Sequence, residues 1–212
     1  MSTYKTEQEA FWAGEFGSAY ISRNLDDKQA IANRVSFWSS ITQNISAPLT
    51  SILELSANIG INLDALHMLS PASKRSAVEI NEDAIAVLRK KNIEVFHESI
   101  LAFSPESQWD LVFTSGVLIH LAPEVLPEVY NKMAQCAGAY VCIAEYYNPT
   151  PVEIPYQGHS NRLFKRDFAG EFLKAHPEFC LCKYGFVYHA DPCFPADDIT
   201  WFLLERKPGV RQ

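Results

Sequence analysis

The sequence after Pro48 alternates short apolar segments with segments of helical periodicity, and this alternation restricts the fold more than any other feature. Short runs rich in Val, Ile and Leu favour buried strands. Strands that alternate with helices form βαβ units, which build a mostly parallel sheet covered by helices on both faces. We therefore predict an α/β fold. The predicted strands are residues 49–55, 76–80, 93–97, 109–115 and 139–146, and the predicted helices are 61–69, 82–91 and 123–136.

The two ends of the chain depart from this alternation. Residues 7–45 carry apolar side chains at spacings of three and four, which predicts a helical N-terminal cap. Residues 179–188 and 200–205 are joined without a helix, so we predict an antiparallel pair of strands, with Cys180 and Cys182 as packing residues. Residues 148–160 carry three prolines before a predicted helix at 166–175, and a loop of this length inside a compact domain is usually functional.

Composition excludes several classes of protein. The 18 Lys and Arg residues against 25 Asp and Glu residues give a net charge of −7, and no basic stripe is present, so we expect no nucleic-acid partner. Five cysteines without a CxxC pair predict neither a disulfide framework nor a metal site, and they favour a reducing cytoplasm. The chain has no signal-like start and no apolar stretch of about 20 residues, so we expect no membrane partner either.

The segment SILELSANIG, residues 51–60, runs from the first predicted strand into a helix. In an open α/β sheet this turn is where ligands meet the carboxyl ends of the strands, and small residues let the backbone approach a ligand. The phosphate-loop pattern GxxxxGK[ST] and the dinucleotide pattern GxGxxG are both absent, which disfavours kinases, GTPases and nicotinamide-dependent oxidoreductases. Glu79 ends the second strand, 79 − 54 = 25 positions after Glu54, where a carboxylate can accept hydrogen bonds from ribose hydroxyls.

Several strings resemble a known family. ILELSANIGIN, AVEIN, FHESIL and WDLVFTSGVLIHL together resemble the class I S-adenosylmethionine-dependent methyltransferases. FWAGEFGSAYISRN, GVLIHL and AEYYNPTPVEIPYQGHSNRLFKRDF are similar to the methylases associated with pseudaminic acid biosynthesis. The resemblance implies a Rossmann-like fold with a seven-stranded sheet and an antiparallel C-terminal hairpin. It also implies one methyltransferase domain, 1–212, made of a cap (1–47), a cofactor-binding core (48–147), a substrate loop and helix (148–178) and a hairpin (179–212).

The resemblance also implies the residues that bind S-adenosylmethionine. One position departs from the family pattern, because Ser56 stands where relatives have the first glycine of the nucleotide loop. A serine tolerates positive φ poorly, so we expect either a β-region backbone there or weaker cofactor binding. The implied residues are Glu54, Ser56, Asn58 and Gly60 at the methionine end; Tyr20 and Arg23 at its carboxylate; Glu79 at the ribose; Ile80, Ser99 and Ile100 at the adenine; and Thr114, Ser115 and Gly116, which would close the cofactor site from the end of the fourth strand.

Candidate catalytic residues follow the fourth and fifth strands. Methyl transfer to a hydroxyl or amine needs a group that accepts its proton, and a carboxylate acceptor needs none. His120 is a natural base at neutral pH, or a histidine that only binds backbone. Glu145 is a second candidate base or a ligand for a substrate amine, and Tyr146 follows it.

The loop that follows carries basic and aromatic residues within an acidic chain, which suits an anionic substrate or a solvated helix start. We expect methylation of a small polar, anionic metabolite by a monomer or homodimer, by O- or N-methylation or by esterification of a carboxylate. An acidic or nucleotide-linked sugar is one candidate. The alternative is a non-catalytic binding module that keeps the fold. The predicted substrate-binding residues are Tyr147, Tyr156, His159, Arg162 and Lys165.

Overall fold

The computed structural model describes residues 4–21, 28–156 and 162–209. The chain divides into two compact units, Met1–Ser104 and Pro105–Gln212. Within the described residues, no helix combines the length and the apolar character that are needed to cross a bilayer.

The described residues of the first unit form five α-helices and three parallel strands. Thr6 begins the first helix with a capping box, in which its side chain accepts from the Glu9 amide and the Glu9 carboxylate accepts from the Thr6 amide. The side chain of Asn81 caps the helix after the second strand, since it accepts from the amides of residues 83 and 84. The elements are α1 (Glu7–Ala13), α2 (Glu15–Ile21), α3 (Lys28–Thr42), β1 (Ser51–Leu55), α4 (Ile61–Leu69), β2 (Lys74–Glu79), α5 (Glu82–Leu88), a 3-10 turn (Arg89–Lys91) and β3 (Glu94–His97).

The second unit contains a parallel pair of strands followed by an antiparallel pair. β4 runs parallel to β5, which explains why β5 is almost wholly buried and apolar. β9 runs antiparallel to both β5 and β8. The elements are β4 (Trp109–Ser115), 3-10 turns Leu118–His120 and Pro123–Val125, α6 (Leu126–Cys136), β5 (Ala137–Glu145), β6 (Val152–Glu153), β7 (Phe164–Lys165), α7 (Phe168–Ala175), β8 (Phe179–Phe186) and β9 (Thr200–Arg206).

The strand order confirms the predicted fold class. Seven strands form one mostly parallel sheet in the order β3-β2-β1-β4-β5-β9-β8, and its last hairpin is antiparallel. α4 and β4 have the predicted bounds, and the other predicted strands and helices differ by a few residues at their ends. The predicted loop after β5 is not wholly irregular, because β6 and β7 pair within it as a short antiparallel hairpin.

One prediction about packing is wrong. Cys180 and Cys182 are exposed, and Phe186 on the same strand is 57% exposed. The reason is the position of β8, which is the last strand of the sheet and has a neighbour on one side only. By contrast Leu203 and Leu204 of the adjacent strand β9 are fully buried.

Gly60, which precedes α4, combines a positive φ with a close contact to the core, so its replacement should be costly. Its φ is +77°, and an added Cβ would lie 2.7 Å from Cδ2 of the buried Leu88. Gly116 is a matched control, since its φ is +67° and nothing lies within 4 Å of an added Cβ. In urea denaturation we expect Gly60→Ala to lose about 2–3 kcal/mol and Gly116→Ala about 1 kcal/mol, because both carry left-handed strain and only the first adds a core clash. Equal losses would contradict the predicted clash.

Candidate functional site

The turn after β1 has an unusual backbone. Ser56, Asn58 and Gly60 all have positive φ, at 60°, 49° and 77°. The amides of Ser56 and Ala57 both donate to the carbonyl of Val78 in β2, at 2.8 and 3.3 Å. Of the two outcomes expected for Ser56, a β-region backbone is therefore wrong, because this serine occupies the left-handed conformation, which favours glycine. Such strain in a turn is typical of ligand-binding loops.

Glu79 connects this turn to the end of β2. One of its oxygens, Oε2, accepts from the Asn58 amide at 2.7 Å, and the other, Oε1, accepts from the amides of Ile80 and Asn81 at 2.8 Å each. The side chain is nearly buried, and burial raises its pKa above the usual value while these three hydrogen bonds oppose that shift. A carboxylate accepts about four hydrogen bonds, so capacity remains for a ligand hydroxyl.

Two buried acceptors beside the same turn have no hydrogen-bond partner among the described residues. They are Oε2 of Glu54, at the end of β1, and Oδ1 of Asn58. The other oxygen of Glu54 accepts from Asn62 Nδ2 at 2.7 Å, and Asn62 Oδ1 accepts from Trp38 Nε1 at 3.1 Å. Burial raises the pKa of Glu54 to about 8, although Asn62 and the charge of Arg34 act against it. Unsatisfied buried acceptors are costly, and a ligand with hydrogen-bond donors would satisfy them.

The N-terminal helices contact the ends of β2 and β3. Asn81 Nδ2 donates to the Trp12 carbonyl at 3.2 Å and to Ser18 Oγ at 3.3 Å. The Ser99 hydroxyl donates to the carboxylate of Glu9, which is itself buried. Sequence reasoning missed Asn62, Asn81 and Glu9. Two of them had a signal, because Thr6 and Glu9 have capping-box spacing and Asn81 is an asparagine directly before a predicted helix. Of the other predicted residues in this unit, Ile80 is half-buried, Ile100 is buried and Tyr20 lies 5.5 Å from Trp12 between ring centroids.

The second unit contains the other predicted positions. Thr114 is buried in β4 and Ser115 ends that strand. Gly116 then turns the chain with a φ of +67°, while its amide donates to the Ala144 carbonyl at 2.9 Å. The strand end therefore leads through a tight turn into the 3-10 turn that carries His120.

His120 is the last residue of this 3-10 turn, and Glu145 contacts the backbone at its start. Nδ1 of His120 is 2.6 Å from the carbonyl oxygen of Arg162, which can only accept, so Nδ1 carries the proton in the neutral ring. Burial lowers the pKa of His120 and keeps it neutral at pH 7. Glu145 is 2% exposed, and its oxygens accept from backbone amides of the turn. Burial raises its pKa to about 7 against these hydrogen bonds.

The predicted substrate residues surround His120 only in part. The ring of Tyr156 lies 4.9 Å from the ring of His120 between centroids, and Arg162 supplies the carbonyl described above. Lys165 Nζ lies 4.9 Å from the ring centroid of Tyr146. Tyr147 is half exposed and contacts Phe202 instead. Arg23 and His159 lie outside the described residues.

Comparison with known proteins gives the fold a name. No protein-family model matches the sequence, and no curated protein is similar to it in sequence. Among solved structures, magnesium protoporphyrin IX methyltransferase from Synechocystis PCC 6803 with bound SAM is similar over 98% of this chain and 100% of its own, with a TM-score of 0.70 at 11% identity. The chain has a methyltransferase fold. This confirms the fold that the sequence resemblance implied.

Two further structures agree. The plantazolicin methyltransferase BpumL, in complex with an analogue of desmethylPZN and SAH, is matched over 90% of this chain and 89% of its own, with a TM-score of 0.64 at 13% identity. The N-methyltransferase NodS from Bradyrhizobium japonicum WM9 is matched over 86% of this chain and 99% of its own, with a TM-score of 0.62 at 15% identity. The first two proteins are named for dissimilar molecules, a magnesium porphyrin and plantazolicin, so this fold does not by itself select a substrate.

Proposed function

We propose that this protein is an S-adenosylmethionine-dependent methyltransferase that acts on a small polar, anionic metabolite. The observation that carries the proposal is the pair of unsatisfied buried acceptors, Glu54 Oε2 and Asn58 Oδ1, beside a left-handed turn at the end of β1. They fit the ammonium of the methionine part of the cofactor, because an ammonium has three donors and no acceptor. The methyltransferase fold of the solved neighbours supports the same assignment.

In this proposal the residues of the first unit hold the nucleoside and methionine parts. Glu54 gives up its proton when the ammonium binds, Glu54 and Asn58 then accept from the ammonium, and the remaining acceptor capacity of Glu79 binds the ribose hydroxyls. Ile80 and Ile100 give apolar contact to the adenine, with Ser99 at its edge. We keep the predicted roles of the remaining cofactor residues, which are Tyr20, Arg23, Ser56, Gly60, Thr114, Ser115 and Gly116. When bound, S-adenosylmethionine supplies an electrophilic methyl group.

We propose that His120 accepts the proton of a hydroxyl or amine acceptor. Its Nδ1 donates to the Arg162 carbonyl, so the basic lone pair lies on Nε2. Its lowered pKa keeps the ring unprotonated at neutral pH, which a general base requires. Lys165, Arg162 and His159 supply positive charge for an anionic substrate, and Tyr146, Tyr147 and Tyr156 supply aromatic contact. An acceptor carboxylate would be esterified without a base.

The first experiment is a calorimetric titration of the protein with S-adenosylmethionine and S-adenosylhomocysteine. We expect binding with a dissociation constant of about 1 μM, and a loss of about tenfold or more in Glu54→Ala, because a hydrogen bond to a charged group contributes about 1.5–3 kcal/mol. Glu124→Ala, at an exposed position of the second unit, is the matched control and should bind normally.

Each result of this titration has a definite meaning. Binding that Glu54→Ala leaves unchanged would remove Glu54 from the cofactor site. If the unaltered protein bound neither compound, the cofactor proposal would fail and the non-catalytic binding module would replace it, with the strained Ser56 as its cause.

The finer proposal is a substrate of the acidic-sugar class, as in the pseudaminic acid-associated methylases, handled in the cytoplasm by a single-domain monomer or homodimer. The basic residues beside His120 support an acidic substrate. Release of S-adenosylhomocysteine can be followed with an acidic sugar and with its neutral, carboxyl-reduced analogue. Turnover of the neutral analogue alone would contradict an anionic substrate.

A further inference from the structure

The 3-10 turn that carries His120 has no side-chain cap from its own N-cap residue, Val117. The backbone amides of residues 117–119, at the start of this turn, therefore need acceptors from elsewhere. Glu145 supplies the acceptors for them. Its Oε1 accepts from the amides of Val117 and Leu118, at 3.1 Å each, and its Oε2 accepts from the amide of Ile119 at 3.4 Å. The first amides of any helical turn lack intrahelical partners, so a buried carboxylate at this position satisfies donors that would otherwise be orphaned.

The sheet brings Glu145 to this position. In the β4 and β5 pairing Ser115 lies opposite Ala144, and the Gly116 amide donates to the Ala144 carbonyl at 2.9 Å. The next residue of β5 is Glu145, so its side chain lies beside residues 117–119, which follow Gly116. At 2% exposure it has little contact with solvent or with a diffusing substrate.

The His120 imidazole is then held from two directions. The backbone of His120 closes the turn by donating to the Val117 carbonyl at 2.9 Å. Its ring donates from Nδ1 to the Arg162 carbonyl at 2.6 Å. The ring can keep its contact with Arg162 only while the turn stays in place, because the ring is the side chain of a residue of that turn.

We infer that Glu145 is a positioning residue, which holds residues 117–119 and so fixes the orientation and tautomer of His120, and that proton acceptance belongs to His120. The significance for catalysis rests on the proposed function, but the positioning itself does not. A carboxylate whose two oxygens accept three backbone hydrogen bonds would have to release the turn in order to take a proton from a substrate.

The test is the tautomer of His120, read by long-range ¹H–¹⁵N NMR on protein labelled at histidine and assigned with His120→Asn. We expect one Nδ1–H tautomer in the unaltered protein and in Glu145→Gln, whose amide oxygen still accepts from the turn. We expect Glu145→Ala to lose this single state and show a mixture of both tautomers. Glu205→Gln, on β9, is the matched control and should resemble the unaltered protein.

A folded Glu145→Ala protein with the unaltered His120 signal would overturn the inference. If Glu145→Ala did not fold, amide hydrogen exchange at residues 117–119 of the unaltered protein would decide. Slow exchange is expected, and exchange as fast as in an exposed loop would overturn it. S-adenosylhomocysteine titration of the same samples keeps the two proposals separate, because a protein that fails to bind this compound can still show the Glu145-dependent tautomer.

Discussion

Replacement of Glu79 by alanine should lower the free energy of unfolding by about 3–5 kcal/mol. The carboxylate accepts hydrogen bonds from the amides of Asn58, Ile80 and Asn81, and alanine would leave all three donors without an acceptor. Each buried donor left unsatisfied costs about 1–3 kcal/mol. Urea denaturation followed by circular dichroism measures the loss. The proposed ribose contact predicts a second effect on the same variant, a loss of S-adenosylhomocysteine affinity.

Two controls separate the hydrogen bonds from the charge. Glu79→Gln keeps one acceptor oxygen, so we expect a loss of about 1–2 kcal/mol. Glu98→Ala removes an exposed glutamate from the same unit and should change stability by less than about 0.5 kcal/mol. A loss below about 1 kcal/mol in Glu79→Ala would show that water or a rearranged loop satisfies these amides, and the turn would not depend on Glu79.

The stability of the protein should fall as pH rises towards 8, and Glu54 should be the main cause. Burial raises its pKa from 4.5 to about 8 in the folded protein. Between these values the folded state keeps a proton that the unfolded state has lost, so the unfolding free energy decreases with rising pH. The cost of this one group is on the order of 5 kcal/mol across that range, since each pKa unit corresponds to about 1.4 kcal/mol.

The difference between the unaltered protein and Glu54→Gln isolates this effect. Glutamine keeps an acceptor for Asn62 and cannot ionise, so Glu54→Gln should gain stability relative to the unaltered protein as pH rises from 5 to 8.5. Glu145 and His120 titrate in both proteins and cancel in the difference. A difference that stays constant across this range would mean that Glu54 is ionised in the folded state with an ordinary pKa.

Local sequence patterns predicted most of the helices and strands. The apolar runs predicted the bounds of β1, β4 and β5 to within a few residues, because parallel strands buried on both faces must be apolar throughout. The helix at α4 was found with its bounds, since Gly60 precedes it and Ser70 follows it. The hairpin of β6 and β7 was missed because two-residue strands carry no periodic pattern.

Side-chain environments were harder to predict. The sequence indicated Glu54, Glu79 and Glu145 as acidic residues at strand ends and suggested a role for each, but it did not show which protein groups each carboxylate meets. Their different roles come from partners that are distant in the chain. Glu79 meets Asn58, Glu145 meets residues 117–119, and Glu54 has an oxygen without a partner among the described residues.

The sequence by itself therefore determined the α/β fold, the order of its elements and the strand ends where functional residues lie, because these follow from local periodicity and from short motifs. Only the tertiary structure decided the exposure of β8, the left-handed backbone of Ser56 and the pairing of Glu145 with the His120 turn. Burial and hydrogen bonding depend on which groups meet in space, and such contacts join residues that local patterns do not relate.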